Sequence, residues 1–109
     1  DDEFDWQYDG NFRQAIDSRN FDQLKQTIRN EAFDNTRLTI AKQVVGQHFF
    51  NTSQVKELIG LFTFESSKLD LAKTCYSRTI DKSNYFTVND AFSFSNSKEE
   101  LSNYIRTQQ

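Results

Sequence analysis

The sequence contains no proline, no methionine, only three glycines and a single cysteine among its 109 residues. Folds built from many strands and tight turns need glycine and proline at the turns, so their scarcity favours helices over a turn-rich all-β fold. One cysteine cannot form an intramolecular disulfide, and it leaves the redox compartment undetermined. Because the chain lacks an initiator methionine, we expect a processed form or an excised part of a longer protein.

The chain also lacks an excess of positive charge and long apolar segments. The formal net charge is -3 and the sequence pI is about 5.1. A general nucleic-acid-binding protein carries a basic patch or a strongly basic domain, so we expect no nucleic-acid partner. No apolar run approaches the ~18 residues of a membrane-spanning helix, and we expect no membrane span in this chain.

Phenylalanine, in contrast, is abundant, at 11 of the 109 residues. The chain is otherwise polar, with 36% hydrophobic residues and a mean hydropathy of -0.78. Each buried aromatic ring removes roughly 150–250 Å² from water. A chain of this length can therefore fold as one domain around a modest core if most of the rings lie inside.

A short pattern with phenylalanine near its centre recurs along the chain. It is clearest in Leu61–Leu69 (LFTFESSKL) and Ala91–Glu99 (AFSFSNSKE), and a weaker copy is Glu31–Leu38 (EAFDNTRL). Self-similarity at a period of ~20–50 residues is typical of stacked supersecondary units. We read these segments as three corners, each joining the end of one helix to the start of the next.

The alignment places Phe33, Phe64 and Phe94 at one equivalent position, with offsets of 31 and 30 residues. It also brings apolar residues together in three further sets: Leu24 with Val55 and Tyr85, Ile40 with Leu71 and Leu101, and Val44 with Cys75 and Ile105. We predict that the three phenylalanines are equivalent buried anchors.

Apolar residues at spacings of three and four predict two helices in each unit. The first helix of each unit is predicted to begin after a good N-cap residue, at Asn20, Asn51 and Asp81. The second is predicted to begin near Asn35, Ser66 and Asn96. The six predicted helices span 21–31, 35–47, 52–62, 66–78, 82–92 and 97–106. The predicted fold is all-α, with three helix-pair repeats of 30–31 residues in a compact solenoid-like stack.

Two capping boxes are predicted at the start of the last helix. Asn96 with Glu99, and Ser97 with Glu100, have the spacing at which a cap and an acid satisfy each other's backbone N–H groups.

Residues 1–19 form a predicted lead-in, and 20–109 a single helical repeat domain. The lead-in alternates acids with Phe4, Trp6 and Tyr8. It is either a flexible terminus or an arm that docks its rings on the domain or on a partner. A short helix over 11–18 is a further expectation.

Several runs resemble one known family. They are Phe50–Val55 (FNTSQV), Leu61–Leu69, Asn89–Phe94 (NDAFSF) and the ending around Tyr104. The family is domain of unknown function 4476, and the resemblance covers most of residues 20–106. Such domains occur often in Bacteroidetes-type bacteria, commonly near the C-terminus of exported or envelope proteins. The resemblance implies a periplasmic, cell-envelope or exported location, and it brings no activity or ligand site.

Residues that commonly carry catalysis are few. His48 is the only histidine and Cys75 the only cysteine, and a Cys–His dyad needs both in one cleft. Cys75 aligns with Val44 and Ile105, so we predict a small core residue. His48 is predicted at a helix end, where its side chain can bond the last carbonyl groups.

Metal and phosphate motifs are missing as well. The sequence has no CxxC, no HExxH and no glycine-rich loop. Residues 81–84 begin like a calcium loop, but Phe86 and Phe92 stand where that loop needs glycine and a bidentate glutamate. We predict no catalytic residue, no metal and no cofactor, and we do not expect an enzyme.

Three cations occupy an equivalent position just after the corners: Arg37, Lys68 and Lys98. The positive end of the helix dipole disfavours a cation there. Either each aliphatic stem covers the neighbouring phenylalanine while the charge reaches water or the acids Asp34 and Glu65, or the cations form a stripe that faces an anionic partner.

The expected function is a non-catalytic protein-interaction or structural module of an exported or envelope protein, with another protein or an envelope component as partner. The alternative is a small-ligand-binding or enzymatic domain with an unrecognised site. A pocket with strongly shifted pKa values would favour the alternative, and a long exposed apolar or charged groove would favour the interaction module.

Overall fold

A computed structural model describes residues 14–109, and apart from one isolated bridge the regular structure in this range is helical. The helices are α1 (Ser18–Arg29), α2 (Asp34–Val45), α3 (Thr52–Ile59), α4 (Glu65–Tyr76), a 3-10 helix (Lys82–Ala91) and α5 (Ser95–Thr107). The all-α prediction is confirmed. No helix in the described range is long and apolar enough to cross a bilayer.

Helix packing places α4 at the centre of the fold. It lies between α2 and α5, and it also contacts α3 and the 3-10 helix. Helix α1 packs against α2, and α3 packs against the 3-10 helix. The helices α2, α4 and α5 therefore form a row.

The core is continuous through all six helices, because each contributes its apolar face. Fully buried residues recur at spacings of three and four, as in Val55, Leu58 and Ile59 of α3 and Leu71 and Cys75 of α4. Burying one such side chain contributes about 1.5–3 kcal/mol.

The starts of α2, α4 and α5 lie within two residues of the predicted positions, whereas the start of α1 and the capping groups differ from the prediction. Helix α1 begins after Asp17, whose carboxylate accepts the Asn20 N–H at 2.8 Å, so the predicted cap at Asn20 was three residues too late. The N-caps of α2, α4 and α5 are Phe33, Phe64 and Phe94, and none has a side-chain cap hydrogen bond.

The capping boxes at Asn96/Glu99 and Ser97/Glu100 are therefore wrong. Helix α5 starts earlier because the Lys98 N–H already donates to the carbonyl of Phe94. Only the predicted cap at Asn51 forms a capping box, with Gln54.

The segment predicted as an α-helix over 82–92 is a 3-10 helix. Its buried residues, Tyr85 and Val88, are three residues apart, which aligns them on one face at three residues per turn. The Tyr85 hydroxyl donates to the carbonyl of Ala72 at 2.6 Å and joins this helix to α4.

The end of the molecule where α1, α3 and the 3-10 helix begin is held by backbone pairing. The N–H of Ile16 donates to the carbonyl of Phe49, and Phe50 forms a parallel bridge with Thr79. We call this the bridged end (Ile16, Phe49–Phe50 and Arg78–Ile80). Residues 14–17 are not helical. Residues 11–13 of the predicted short helix, and the Phe4, Trp6 and Tyr8 arm, lie outside the described residues.

Candidate functional site

The most unusual surface lies where α2, α4 and α5 begin. Phe33, Phe64 and Phe94 occupy the three N-cap positions and are 74%, 63% and 62% exposed. We call this surface the Phe edge, and define it as the three phenylalanines with the exposed residues beside them. The prediction that these rings are buried anchors is wrong.

The buried anchor is the ring two residues earlier. Phe62 is 4% exposed and Phe92 is 5% exposed. The backbone at Phe92 and Phe94 is extended. In a regular strand, side chains two residues apart point to the same side, but this segment is not a regular strand. Here the chain turns into α5 at Phe94, and the second ring of the pair is directed into solvent. In the first corner Glu31 takes the position of the buried ring.

The acids beside the phenylalanines face the protein backbone. Asp34, which is buried, accepts the N–H groups of Thr63 and Phe64, at 3.0 Å and 2.7 Å. Glu65 accepts the N–H groups of Ser93 and Phe94 at 2.9 Å and 3.1 Å. Each acid thus joins the start of its own helix to the next corner, and this fixes the starts of α2, α4 and α5 side by side.

Two of the three predicted stripe cations also bind backbone. Arg37 donates to the carbonyls of Leu61 and Glu31, both at 2.6 Å, and to that of Arg29 at 3.3 Å. Lys68 donates to the carbonyl of Ala91 at 3.3 Å. These carbonyls follow or end helices and need partners.

The Lys98 side chain is half-buried and has no hydrogen-bond or ion-pair partner within residues 14–109. The structure therefore brings Arg37 and Lys68 into internal contacts and leaves Lys98 outside them. Anion binding by the stripe stays a prediction.

The exposed residues beside the rings carry no charge, although the half-buried Lys98 side chain lies in the first turn of α5. Beside the rings, the exposed side chains are small or polar and neutral: Ala32, Asn35, Thr36, Thr63, Ser66, Ser93, Ser95 and Asn96. In the third corner Ser95 replaces the acid of the other two. Since charged residues make up 27% of the chain, a neutral aromatic surface of this kind is a local feature.

The electrostatics of Glu65 reflect these contacts. Partial desolvation raises the pKa of Glu65. This effect is outweighed by hydrogen bonds from the Phe94 N–H, the Ser97 hydroxyl and the Ser93 N–H and by the charge of Lys68, all of which lower the pKa. The net shift is downward, so Glu65 is ionised at neutral pH and available to hold the edge together.

The bridged end has a comparable acid. Burial raises the pKa of Asp81, whereas hydrogen bonds from the Asn84 side chain and from the N–H and hydroxyl of Thr52 lower it, with a net downward shift. Asp81 accepts the Thr52 N–H at 2.8 Å and so joins the start of α3 to the 3-10 helix.

The residues considered for catalysis are not arranged for it. Cys75 is fully buried, as predicted, and burial raises the pKa of its thiol to about 12. A nucleophilic cysteine needs the opposite, an accessible thiolate. The His48 side chain makes no hydrogen bond within the described range, so the predicted bonds to the last carbonyls of α2 are wrong, because α2 ends three residues earlier. Residues 14–109 contain no cluster of side chains suited to a metal ion.

One cleft near the C-terminal end has the size of a small ligand site. It encloses about 350 Å³ between the 3-10 helix and α5, and its lining includes Tyr76, Lys82, Tyr85 and Phe86. Two of its polar side chains are already bonded within the protein. Lys82 donates to the carbonyl of Thr79 at 2.9 Å, and the Tyr85 hydroxyl is bonded inside the core, where burial raises its pKa.

No curated protein and no solved structure matches this chain. A family model does match it, over residues 15–105, a range that contains almost all of the described helical structure. This match confirms the family resemblance in the sequence. The chain belongs to the family described as domain of unknown function (DUF4476), and that description assigns it no activity.

Proposed function

We propose that this domain is a non-catalytic interaction module that binds its partner through the Phe edge. The observation that carries the proposal is the exposure of three phenylalanines, at 74%, 63% and 62%, beside exposed residues that are uncharged. At roughly 150–250 Å² per ring, they leave about 300–500 Å² of aromatic surface in water. Exposed apolar patches of this size are often functional.

The rings are well placed for binding, because their backbone is held from behind. Asp34 and Glu65 bind the N–H groups of Phe64 and Phe94. A partner that covers Phe64 or Phe94 would not need to order the corner first, so less binding energy is lost to conformational entropy. Aromatic residues in the core of an interface commonly supply much of its affinity.

We also propose that the domain is a stack of three helix pairs: α1 with α2, α3 with α4, and the 3-10 helix with α5. The support is a repeated set of links between consecutive corners. Asp34 and Arg37 bind the second corner, and Glu65 and Lys68 bind the third in the same way. Stacked units project equivalent residues onto one surface, which accounts for the row of rings.

The row has the dimensions of a continuous recognition surface. Packed helices lie about 8–10 Å apart, so three adjacent helices spread the rings over roughly 16–20 Å. Such a row matches one helix or extended segment of a partner better than a small molecule.

The proposed setting is the envelope or the exterior of the cell, with another protein or an envelope component as partner. The support for this setting is the family resemblance alone.

A small-ligand domain is the second candidate, favoured by the cleft of about 350 Å³. This volume is at the lower end of the ~300–1,000 Å³ usual for ligand sites. Phe86, which lines the cleft and is 70% exposed, provides a way to separate the two candidates.

The test compares two sets of variants of the protein. Phe64→Ser with Phe94→Ser removes two rings of the Phe edge, and Phe86→Ser removes an equally exposed ring elsewhere. Partners captured by wild type after cross-linking in cells should decrease at least ~10-fold with the double variant, as expected when interface aromatics worth more than ~1.4 kcal/mol are lost. They should remain with Phe86→Ser. Equal capture by all three proteins would contradict the proposal.

A further inference from the structure

We propose that the cleft between the 3-10 helix and α5 binds the chain's own N-terminal arm, residues 1–13, with one of the arm's aromatic rings inserted into it. The arm contains Phe4, Trp6 and Tyr8 and precedes the described residues. This inference concerns a different surface from the Phe edge and does not depend on the proposed function. Its support comes from the position of the cleft, its charge and the distance that the arm must cover.

The cleft lies on a helix flank that receives an aromatic ring in α4. There, Ala72 and Tyr76 are buried and contact Tyr85. The Tyr85 hydroxyl donates to the Ala72 carbonyl at 2.6 Å, and the two tyrosine rings pack edge to face with their centroids 5.1 Å apart. Thirty positions later, α5 carries Ser102 and Arg106, which are exposed and line the cleft. The cleft is therefore the place where α5 lacks the ring that α4 has.

The walls of the cleft suit an aromatic side chain. The buried rings of Tyr76 and Tyr85 line it, and so does Phe86, which is 70% exposed. A further ring in this space of about 350 Å³ would cover Phe86 and pack against the tyrosines. Aromatic rings favour edge-to-face or offset contacts of this kind.

The charge of the cleft is opposite to that of the arm. Lys82 and Arg106 line the cleft and no acidic residue does, although acids outnumber cations in the chain. Neither cation forms an ion pair within residues 14–109: Lys82 donates to the Thr79 carbonyl and Arg106 to the Asn103 side chain. Residues 1–9 carry five acids and no cation. Opposite charges of this kind attract and orient the two segments.

The bridged end brings the start of the described chain close to the cleft. Three backbone segments pair side by side there: Ile16 with Phe49–Phe50, and Phe49–Phe50 with Arg78–Ile80. Paired segments lie about 4.7–4.9 Å apart, so roughly 10 Å separates the first from the third. Lys82 of the cleft donates to a carbonyl of that third segment at 2.9 Å.

The arm is long enough to cover this distance within one molecule. The eight residues from Trp6 to Gln14 span up to ~26–29 Å when extended. This length exceeds the roughly 10 Å across the paired segments, and the remainder is available to enter the cleft.

Fluorescence of the protein tests the docking without a label, because Trp6 is the only tryptophan in the chain. We expect acrylamide to quench Trp6 more slowly in the native protein than in urea, to the same extent at all protein concentrations. A tryptophan as accessible in the native protein as in the unfolded one would overturn the proposal. Protection that increases with protein concentration would also overturn it, because the arm would then bind another copy.

Two substitutions in the cleft should release the arm. Phe86→Ser removes the exposed aromatic wall, and Arg106→Gln removes a cation; both side chains are exposed, so the fold is retained. The ratio of docked to free arm should fall at least ~10-fold in Phe86→Ser, as for the loss of an aromatic contact at the centre of an interface. It should fall about 2–5-fold in Arg106→Gln, as for the loss of an exposed ion pair. Unchanged quenching in both variants would contradict the assignment of the cleft.

Matched variants outside the cleft serve as controls. Phe64→Ser removes a similarly exposed ring from the Phe edge, and Lys98→Gln removes a cation from the start of α5. Quenching of Trp6 in both should equal that of wild type. If Phe64→Ser releases Trp6 and Phe86→Ser does not, the arm binds the Phe edge and the proposal is wrong.

Discussion

The two ends of the helix row satisfy their backbone groups in different ways. At the bridged end, backbone pairs with backbone, as in the bond from the Phe50 N–H to the Arg78 carbonyl, in addition to side-chain links such as that of Asp81. The Phe50 ring is fully buried. At the Phe edge, side chains bind the backbone, and the rings of the three N-cap phenylalanines are exposed. Exposed N-cap phenylalanines thus occur at the Phe edge only, within the described residues.

This difference shows which rings the fold requires. The Phe edge has buried aromatic anchors of its own, Phe62 and Phe92, so its corners do not depend on the exposed rings for packing. The acids and cations of the edge stabilise the corners, while the exposed rings remain available to a partner. The following predictions test whether the buried rings stabilise the fold while the exposed rings do not.

The largest expected effect comes from truncating the buried ring at the bridged end. Phe50→Ala should cost about 3–5 kcal/mol of unfolding free energy, because it leaves a cavity in the core. Phe64→Ala should cost less than ~1 kcal/mol, because that side chain is already exposed. Urea denaturation of both variants measures the difference. Similar losses for the two would show that Phe64 is an anchor after all.

An intermediate effect is expected from the buried acid of the Phe edge. Asp34→Ala removes the acceptor for the N–H groups of Thr63 and Phe64, and we expect a loss of about 2–3 kcal/mol. The matched change at the bridged side is Asn51→Ala, which removes an N-cap and should cost about 1 kcal/mol. Denaturation midpoints measure both losses. If Asn51→Ala lowers the unfolding free energy more than Asp34→Ala does, the role given to Asp34 is wrong.

The same comparison predicts a dependence on pH. Desolvation acts to raise the pKa of Glu65 and of Asp81, but their hydrogen bonds outweigh it, and both folded-state pKa values lie below the usual ones. The unfolded chain therefore binds more protons in acid, so the stability that these groups contribute is present above about pH 5 and is lost as the pH falls through the folded-state values.

Glu65→Gln and Asp81→Asn should each flatten the acid limb of a plot of unfolding free energy against pH. Wild-type stability that rises toward pH 3 would show that the sign is wrong.

A small effect is expected at the third cation. The Lys98 side chain makes no hydrogen bond or ion pair within the described range, so Lys98→Gln should change stability by less than ~0.5 kcal/mol. The same variant tests anion binding separately from stability, because it removes one cation of the stripe and leaves the internal contacts of Arg37 and Lys68 in place. Calorimetric titration with acidic peptides or glycans should show no difference from wild type. Binding that depends on Lys98 would establish the stripe.

Much of the helical structure could be predicted from apolar spacing. The α3 start at Asn51 and the burial of Cys75 follow from local rules, because a cap and a core position depend on few neighbours. The register that aligned Phe33, Phe64 and Phe94 also placed three residues that share one structural position, the N-cap.

What these rings do could not be predicted in the same way. Their recurrence suggested a core position, and nothing in helix periodicity distinguishes Phe62 from Phe64 in the short segment between two helices. A signal was present in the first corner, where Glu31 stands at the position of Phe62 while Phe33 is retained. The contacts of Asp34 and Arg37 with the second corner join residues 24–30 positions apart, so they depend on how the helices pack.

The most direct test of the central claim, that the Phe edge is a binding surface, is photo-cross-linking in cells. A photoreactive phenylalanine analogue is placed at position 64 of the protein, with position 86 as a similarly exposed control. We predict a discrete covalent product from position 64, with its mass identifying a second copy or another partner, and no such product from position 86. The absence of a product at 64, or the same product from both positions, would contradict the claim.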